Sequence, residues 1–337
     1  RCKHHSRHHG NDERHYTQKA SEKSSPETYD HCEKKDHPAA KQHIIFQTIA
    51  ILALFLSWEI AQGQTHISGN VTPGTLAPTS SEPTKSFILD GDVFFTGGNS
   101  ITVNNGGSLT IDLNGHVMQN PSHYNYMVAV SNGGTFTLKD SNPTVKHYGK
   151  AETITPNNTT FNLPYLWNYR TSYNASTPGA IEIDGGILTG GMGTMAGCVS
   201  VQDGGTFNLQ GGTIAGCFIY LNGGKFTTTD VEAAYAEPAN FDSNGCFTQG
   251  GFGGAVYVYP NGHFNMTGGR ICYNFAAFAG GGVHTSSPYF FMSGGQIDHN
   301  QVSVSQLSYG GGVYVSHSPH HNPTQAFNGS FTMSGGN

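Results

Sequence analysis

The sequence contains few charged side chains. Only 11% of its 337 residues are Asp, Glu, Lys or Arg, against roughly 25% in an average globular protein. The formal net charge is −6, so the chain lacks the basic excess with which nucleic-acid-binding proteins contact phosphates. We therefore expect no nucleic-acid partner.

Long hydrophobic runs are also absent, with one exception of 15 residues at 44–58. A membrane-spanning helix needs ~20 apolar residues, so this run is short for one. The small residues Ala61 and Gly63 follow it at the two positions that a signal peptidase inspects. Residues 44–63 are predicted to be a secretory signal peptide cleaved before Gln64, with an uncleaved anchor as the alternative.

Two polar segments flank this run. Residues 1–43 contain eight histidines and almost nothing apolar, which predicts disorder, with metal binding by paired histidines as the alternative. Residues 64–86 are rich in Thr, Ser and Pro and are predicted to be a linker or a leading cap. No methionine precedes Met118, and the last repeat stops after its glycine pair. We therefore expect a fragment, or a start site assigned too far upstream.

What the chain has in abundance is glycine, 46 residues in all, and the glycines mark a repeat. Each copy opens with a glycine pair and a short apolar strand, and then continues through a second strand to another glycine pair. The openings at Gly253, Gly280 and Gly310 lie 27 and 30 residues apart. Self-similarity at such a period predicts a solenoid in which each copy forms one coil.

The repeated strands alternate apolar and outward-facing residues, which is the periodicity of β structure. Eight copies of the first strand can be followed: Ile101–Val103, Val128–Val130, Ile181–Ile183, Val199–Val201, Ile219–Leu221, Val256–Val258, Val283–Thr285 and Val313–Val315. Stacking predicts interior columns of Val256, Val283 and Val313, and of Phe264, Phe290 and Phe331. It also places Asn274 and Asn300 at matching corners, where their amides can hydrogen-bond from coil to coil.

Several motifs carry a resemblance to known proteins. The segment Ile111–His116 is similar to the opening coils of many secreted proteins, and Gly253–Val256 resembles the GGA-[ILV] repeat of polymorphic outer-membrane autotransporters. The F-x-x-N motif that accompanies that repeat occurs here with Ile, at Ile271–Asn274 and Ile297–Asn300. Residues 87–337 resemble the right-handed parallel β-helix (pectin-lyase-like) superfamily. The resemblance implies an all-β, right-handed parallel β-helix, and the autotransporter repeats belong to adhesins.

Enzymes of this superfamily cut polyuronides with acids clustered on one face of the stack, either for acid–base chemistry or around calcium. The closest acids after residue 64 are three pairs, none of which recurs one coil later: Asp90 with Asp92, Glu182 with Asp184, and Asp230 with Glu232. We therefore expect no catalytic residues, no metal and no cofactor. A polysaccharide lyase or hydrolase acting on polyuronides remains the alternative.

Two groups of aromatic residues are candidate binding sites. The insertion at residues 141–178 lacks glycine pairs and carries Tyr165, Trp167 and Tyr169, which could bind sugars or could attach the insertion to the solenoid. The middle residues of the last three strands are Tyr257, His284 and Tyr314. They are predicted to point outward as a column with a spacing of ~4.8 Å. Such a column could be cross-strand packing or a strip that binds glycans or a partner.

These features predict a secreted or cell-surface protein that serves as a stalk or an adhesin-like binding surface. Its partners would be glycans or surface molecules of a host or neighbouring cell, with membrane or wall anchoring outside the given residues. An oxidising destination would permit two disulfides among Cys198, Cys217, Cys246 and Cys272, but no pairing follows from the sequence. For Cys198 and Cys217, a role as small buried residues is the alternative.

Overall fold

The computed structural model describes residues 64–97, 100–121, 126–154, 161–162, 166–194, 196–241, 247–303, 308–316 and 329–337. The predicted disordered segment and signal peptide, residues 1–63, lie outside the described residues. Within the described part, the chain is all-β with few helical residues, and most of its strands pair in parallel. No helix in these ranges is long and apolar enough to cross a membrane.

Most strands fall into four rows, which we call faces 1 to 4. Face 1 contains β3 (Ile101–Val103), β6 (Val128–Val130), β15 (Val199–Val201), β19 (Val256–Val258), β23 (Val283–Thr285) and β27 (Val313–Val315). Face 2 contains β4 (Ser108–Asp112), β7 (Thr135–Lys139), β16 (Thr206–Leu209), β20 (His263–Met266), β24 (Tyr289–Met292) and β28 (Phe331–Met333). Face 3 contains β5 (Val117–Gln119), β13 (Ile187–Thr189), β17 (Thr213–Ala215), β21 (Arg270–Cys272) and β25 (Gln296–Asp298). Face 4 contains β14 (Met192–Gly193), β18 (Phe218–Ile219), β22 (Phe275–Ala276) and β26 (Gln301–Val302).

The remaining elements begin the stack or belong to insertions. At the start, β1 (Thr65–Val71) and helix α1 (Pro73–Leu76) precede β2 (Thr84–Phe95), which pairs with β1, β4 and β5 and so joins faces 2 and 3 in one sheet. The first insertion contains β8 (Lys146–Lys150), β9 (Thr153–Ile154), β10 (Phe161–Asn162) and β11 (Asn168–Tyr169), and leads into β12 (Ile181–Asp184). The second insertion contains helix α2 (Thr228–Ala236) and a 3₁₀ turn, Pro238–Asn240.

One repeat visits the four faces in chain order, as β19, β20, β21 and β22 do. Each strand pairs in parallel with the corresponding strand of the next repeat, for example Val256 with Val283 in face 1 and Phe264 with Phe290 in face 2. This arrangement of parallel strands in stacked sheets is compatible with a β-helix.

The predicted interior columns are confirmed, but two of the eight predicted copies of the first strand lie outside face 1. Ile181–Ile183 lies in β12, which pairs antiparallel with β8, and Ile219 lies in β18 of face 4. The phenylalanine rings stack from repeat to repeat, with centroids 5.0 Å apart between Phe207 and Phe264, 4.6 Å between Phe264 and Phe290, and 4.5 Å between Phe290 and Phe331. The residues Val256 and Val283 are fully buried and belong to the same hydrophobic cluster. Like side chains therefore contact like side chains along the stack.

The corners between faces depend on amide stacking and on glycine. The side chain of Asn274 donates to Oδ1 of Asn300 at 2.9 Å, as the matching corners predicted, and Oδ1 of Asn274 accepts from the Cys217 amide at 3.0 Å. A Cβ atom at Gly254 would overlap the carbonyl group of Gly281 in the next repeat. Only glycine permits this close approach of two backbones.

A disulfide joins Cys198, just before β15, to Cys217, just before β18. Both cysteines are fully buried, as the alternative expected, but they are bonded to each other and are not free thiols. Cys272 is a free thiol within the described residues, and burial raises its pKa to about 12. Cys246 lies outside the described residues.

Replacing both Cys198 and Cys217 by serine should lower the free energy of unfolding by about 3 kcal/mol, because the bond closes a loop of 19 residues in the unfolded chain. Urea unfolding of the wild-type protein, measured once with the disulfide intact and once in reductant, gives the same difference in the free energy of unfolding. An unfolding midpoint that reductant leaves unchanged would contradict the stabilising role of this bond.

Candidate functional site

The first insertion packs on the outer surface of face 3. The outward side chains of this face include Val117 and Ile187, and both are fully buried beneath the insertion. Trp167 has no exposed surface, and its indole N–H donates to the Ile181 carbonyl oxygen at 3.0 Å. Its ring lies 6.0 Å from that of Tyr169 in a stacked arrangement.

The hydroxyl of Tyr169 attaches the insertion to the start of the stack. It donates to Oδ2 of Asp92 at 2.7 Å, and the other oxygen of Asp92 accepts from the Val117 amide at 3.0 Å. Burial, together with this hydrogen bond, raises the pKa of Tyr169. Trp167 and Tyr169 thus hold the insertion in place and offer almost no surface to a ligand, whereas Tyr165 lies outside the described residues.

The predicted aromatic column on face 1 exists, but it is not on the surface. The ring of His284 lies 4.5 Å from that of Tyr257 and 5.3 Å from that of Tyr314. However, Tyr257 is only 2% exposed and His284 is 0% exposed, while Tyr314 is half-buried. The prediction that these residues form an exposed strip is therefore wrong for Tyr257 and His284.

The physical reason is a second hydrophobic cluster outside the main core. The chain that links face 4 to face 1 places Phe252 against His284, with ring centroids 5.0 Å apart. Phe278 of the next link packs on Phe252, and the second insertion adds Phe247. The column on face 1 is therefore buried between these links and the strands.

An open groove of about 460 Å³ lies where the first insertion ends on face 3. One side is formed by β12 and the turn after β7, and the other by the exposed part of face 3 and the turns that lead into it. Its polar lining consists of Asp140, Glu182, Asp184, Gln210, Thr213, Arg270 and Gln296. We call it the insertion groove.

The insertion groove brings together three carboxylates that the sequence showed only in part. In the sequence, Glu182 and Asp184 stand out as a closely spaced pair, but nothing in the sequence places Asp140 beside them; in the structure all three line the groove. The antiparallel pairing of β12 with β8 returns the chain to the turn after β7, where the Gly186 amide donates to Oδ2 of Asp140 at 2.7 Å. The three carboxylates therefore meet although no acidic pair recurs one coil later.

The three carboxylates differ in how they are held. Glu182 accepts from Lys146 and, at 2.7 Å, from the Tyr148 hydroxyl, and these hydrogen bonds lower the pKa of Glu182. Both oxygens of Asp140 accept backbone amides. The side chain of Asp184 is 65% exposed, and its nearest cation is Lys146 at 3.9 Å.

Arg270 provides the positive charge in the groove. It donates to Asp298 through two nitrogens, at 2.8 and 2.6 Å, and these bonds raise the pKa of Arg270. Because Asp298 neutralises it, Arg270 gives the groove little net positive charge. Gln210 and Gln296 are exposed beside it, and each amide can both donate and accept hydrogen bonds.

This lining suits a neutral, hydroxyl-rich ligand better than a metal ion. Among the described residues, no group of three or more His, Cys, Asp or Glu side chains could hold a metal. Amide, hydroxyl and carboxylate groups together can pair with the hydroxyls of a sugar, which both donate and accept.

Comparisons with known proteins found no matching family model, no matching curated protein and no matching solved structure.

Proposed function

We propose that this protein is a right-handed parallel β-helix that acts outside the cell as a non-catalytic, adhesin-like surface for glycans. The observation that carries this proposal is the insertion groove, an open and polar depression on an otherwise regular stack of strands. Glycans of a host or neighbouring cell are the partners that it would bind.

The chemistry of the groove supports a sugar ligand. Asp184 is largely exposed and can accept hydrogen bonds from sugar hydroxyls. The exposed amides of Gln210 and Gln296 can donate to the ring and hydroxyl oxygens. A ligand that both donates and accepts hydrogen bonds satisfies this mixed lining, whereas a purely apolar ligand would leave it unpaired.

The disulfide supports an extracellular location. Bonds such as Cys198–Cys217 form and persist in oxidising compartments and are rare where glutathione keeps thiols reduced. Secretion or display at the cell surface agrees with this bond and with the predicted signal peptide.

A polysaccharide lyase or hydrolase is the second candidate, because three carboxylates line one groove. Glycoside hydrolysis needs one protonated carboxyl group and one ionised partner that can both reach the scissile bond. The lowered pKa of Glu182 keeps it ionised, and its oxygens are occupied by Lys146 and Tyr148. Asp140 is likewise engaged by backbone amides, so the arrangement favours binding over catalysis.

The proposal predicts that Asp184→Asn and Gln296→Ala each weaken the binding of soluble neutral oligosaccharides about tenfold or more, because the first replaces an ionised acceptor oxygen by an amide donor and the second removes the amide altogether. A glycan array would select the oligosaccharide, and isothermal titration calorimetry would measure its Kd. Gln202→Ala, which alters a glutamine outside the groove, is the matched control and should leave the Kd unchanged.

Two outcomes would contradict the proposal. Folded protein that binds no glycan on the array would exclude the binding role. Release of reducing or unsaturated sugar ends from a bound polysaccharide, lost in Asp184→Asn, would establish the enzyme instead.

A further inference from the structure

We propose that the outer surface of face 2 is a second binding site, and that it takes an uncharged polysaccharide laid flat against the strands. This surface is distinct from the insertion groove and does not depend on it. The inference rests on four observations: register, composition, exposure and the ordering of side chains.

The outward side chains of face 2 form two columns that cross the strands. One column includes Thr206, His263 and Tyr289, and the other includes Asn208, Asn265 and Phe291. The parallel pairs β4–β7, β7–β16, β16–β20 and β20–β24 have no register shift. Corresponding side chains therefore recur at the strand spacing of ~4.8 Å, and such a regular surface suits a ligand that is itself regular.

From β4 to β24, these two columns contain no Asp, Glu, Lys or Arg. Strands β4 and β7 present serine and threonine, β16 presents threonine and asparagine, β20 presents His263 and Asn265, and β24 presents Tyr289 and Phe291. The columns offer no cation to a polyuronide, and Lys139, the next outward residue of β7, is paired with Asp112 of β4 at 3.7 Å. They do not repel a neutral polymer. Hydroxyl and amide groups can bond to sugar hydroxyls, and aromatic faces can cover the apolar face of a sugar ring.

The columns are uncovered among the described residues. The first insertion packs on face 3 and the second hydrophobic cluster packs on face 1, so neither reaches this surface. Tyr289 is 39% exposed and Phe291 is 44% exposed, so two large rings of one strand lie open on the same surface.

Contacts within the surface hold its side chains in place before any ligand arrives. The amide of Asn265 donates to Oδ1 of Asn208 at 3.0 Å, and the amide of Asn208 donates to Thr137 at 3.4 Å. The rings of His263 and Tyr289 stack with their centroids 4.2 Å apart. Such ordering reduces the entropy lost on binding, as expected for a binding surface.

Depletion from solution by microcrystalline cellulose and by chitin tests this inference. The wild-type protein should bind at least one of these neutral solids, and a calcium-set pectate gel should not retain it. The double variant Tyr289→Ala/Phe291→Ala should weaken binding about tenfold or more, which corresponds to the burial of an aromatic side chain. Because both rings are exposed, the double variant should retain the melting temperature and circular dichroism of the wild type.

The controls separate this surface from the groove and from self-association. Tyr235→Ala removes a ring with similar exposure on α2 and should bind the solids normally, as should Asp184→Asn. Equal binding by the double variant, loss of binding in Asp184→Asn, or no wild-type binding to either solid would each overturn the inference. It would also fail if analytical ultracentrifugation showed a wild-type dimer that the double variant dissociates, because the occupant would then be a second copy.

Discussion

Trp167→Ala should lower the free energy of unfolding by about 3–5 kcal/mol, the usual cost of removing a buried aromatic side chain, and should also abolish ligand binding in the insertion groove. The indole ring is fully buried and stacks on Tyr169. The backbone at Gly149 runs so close beneath it that a Cβ atom there would overlap the ring. Without this ring, the insertion loses its main apolar contact with face 3, and the groove loses one of its sides.

Urea unfolding and titration calorimetry measure these two effects in the same preparation. Tyr173→Phe is the matched control, because it removes only the hydroxyl that bonds to Glu152 elsewhere in the insertion. A Trp167→Ala variant that keeps both wild-type stability and groove affinity would show that the insertion does not need this anchor. Loss of affinity with little loss of stability would indicate that the insertion detaches while the stack of strands remains folded.

Phe290→Ala should also cost about 3–5 kcal/mol, whereas Phe291→Ala, one residue further along β24, should change stability by less than about 0.5 kcal/mol. The ring of Phe290 is fully buried between those of Phe264 and Phe331. Phe291 points to the opposite side of the strand and is 44% exposed. Two adjacent phenylalanines therefore provide a test in which chemistry is constant and only burial differs.

Urea unfolding followed by circular dichroism gives both values. Nearly equal losses for the two variants would contradict the assignment of inner and outer sides in face 2. In a stack where each repeat contacts only its neighbours, Phe290→Ala should also broaden the transition, because repeats on either side of the cavity unfold less cooperatively.

The repeats explain why part of this structure could be predicted from the sequence. Alternation in strands such as Val256–Val258 and His263–Met266 assigns each side chain to one side of the sheet, and the period then aligns copies in columns. The column of Phe264 and Phe290 and the corner of Asn274 and Asn300 followed from these two facts alone.

The burial of Tyr257 and His284 could not be predicted in this way. The alternation of residues along a strand predicts that a side chain points to the outer side of the sheet, but it does not predict what packs on that side. The covering rings of Phe252 and Phe278 lie in links between faces, where the chain has no strand period. An outward residue was therefore mistaken for an exposed one.

The insertion groove was missed for a related reason. Its carboxylates come from a turn and from β12, and they meet only because β8 and β12 pair antiparallel within the first insertion. A segment with no repeat offers no copy against which its pairing can be aligned. The disulfide between Cys198 and Cys217 was similarly undetermined, because four cysteines allow several pairings.

The exact register across the insertions has an evolutionary consequence. Asn208 reaches Thr137 across 71 residues and Asn265 reaches Asn208 across 57, while Asn274 and Asn300 are only 26 residues apart. Closing a loop of 71 rather than 26 residues costs only about 1 kcal/mol of chain entropy. Descendants of this chain could therefore gain, lose or replace an insertion, and with it the groove, while inheriting the stack unchanged.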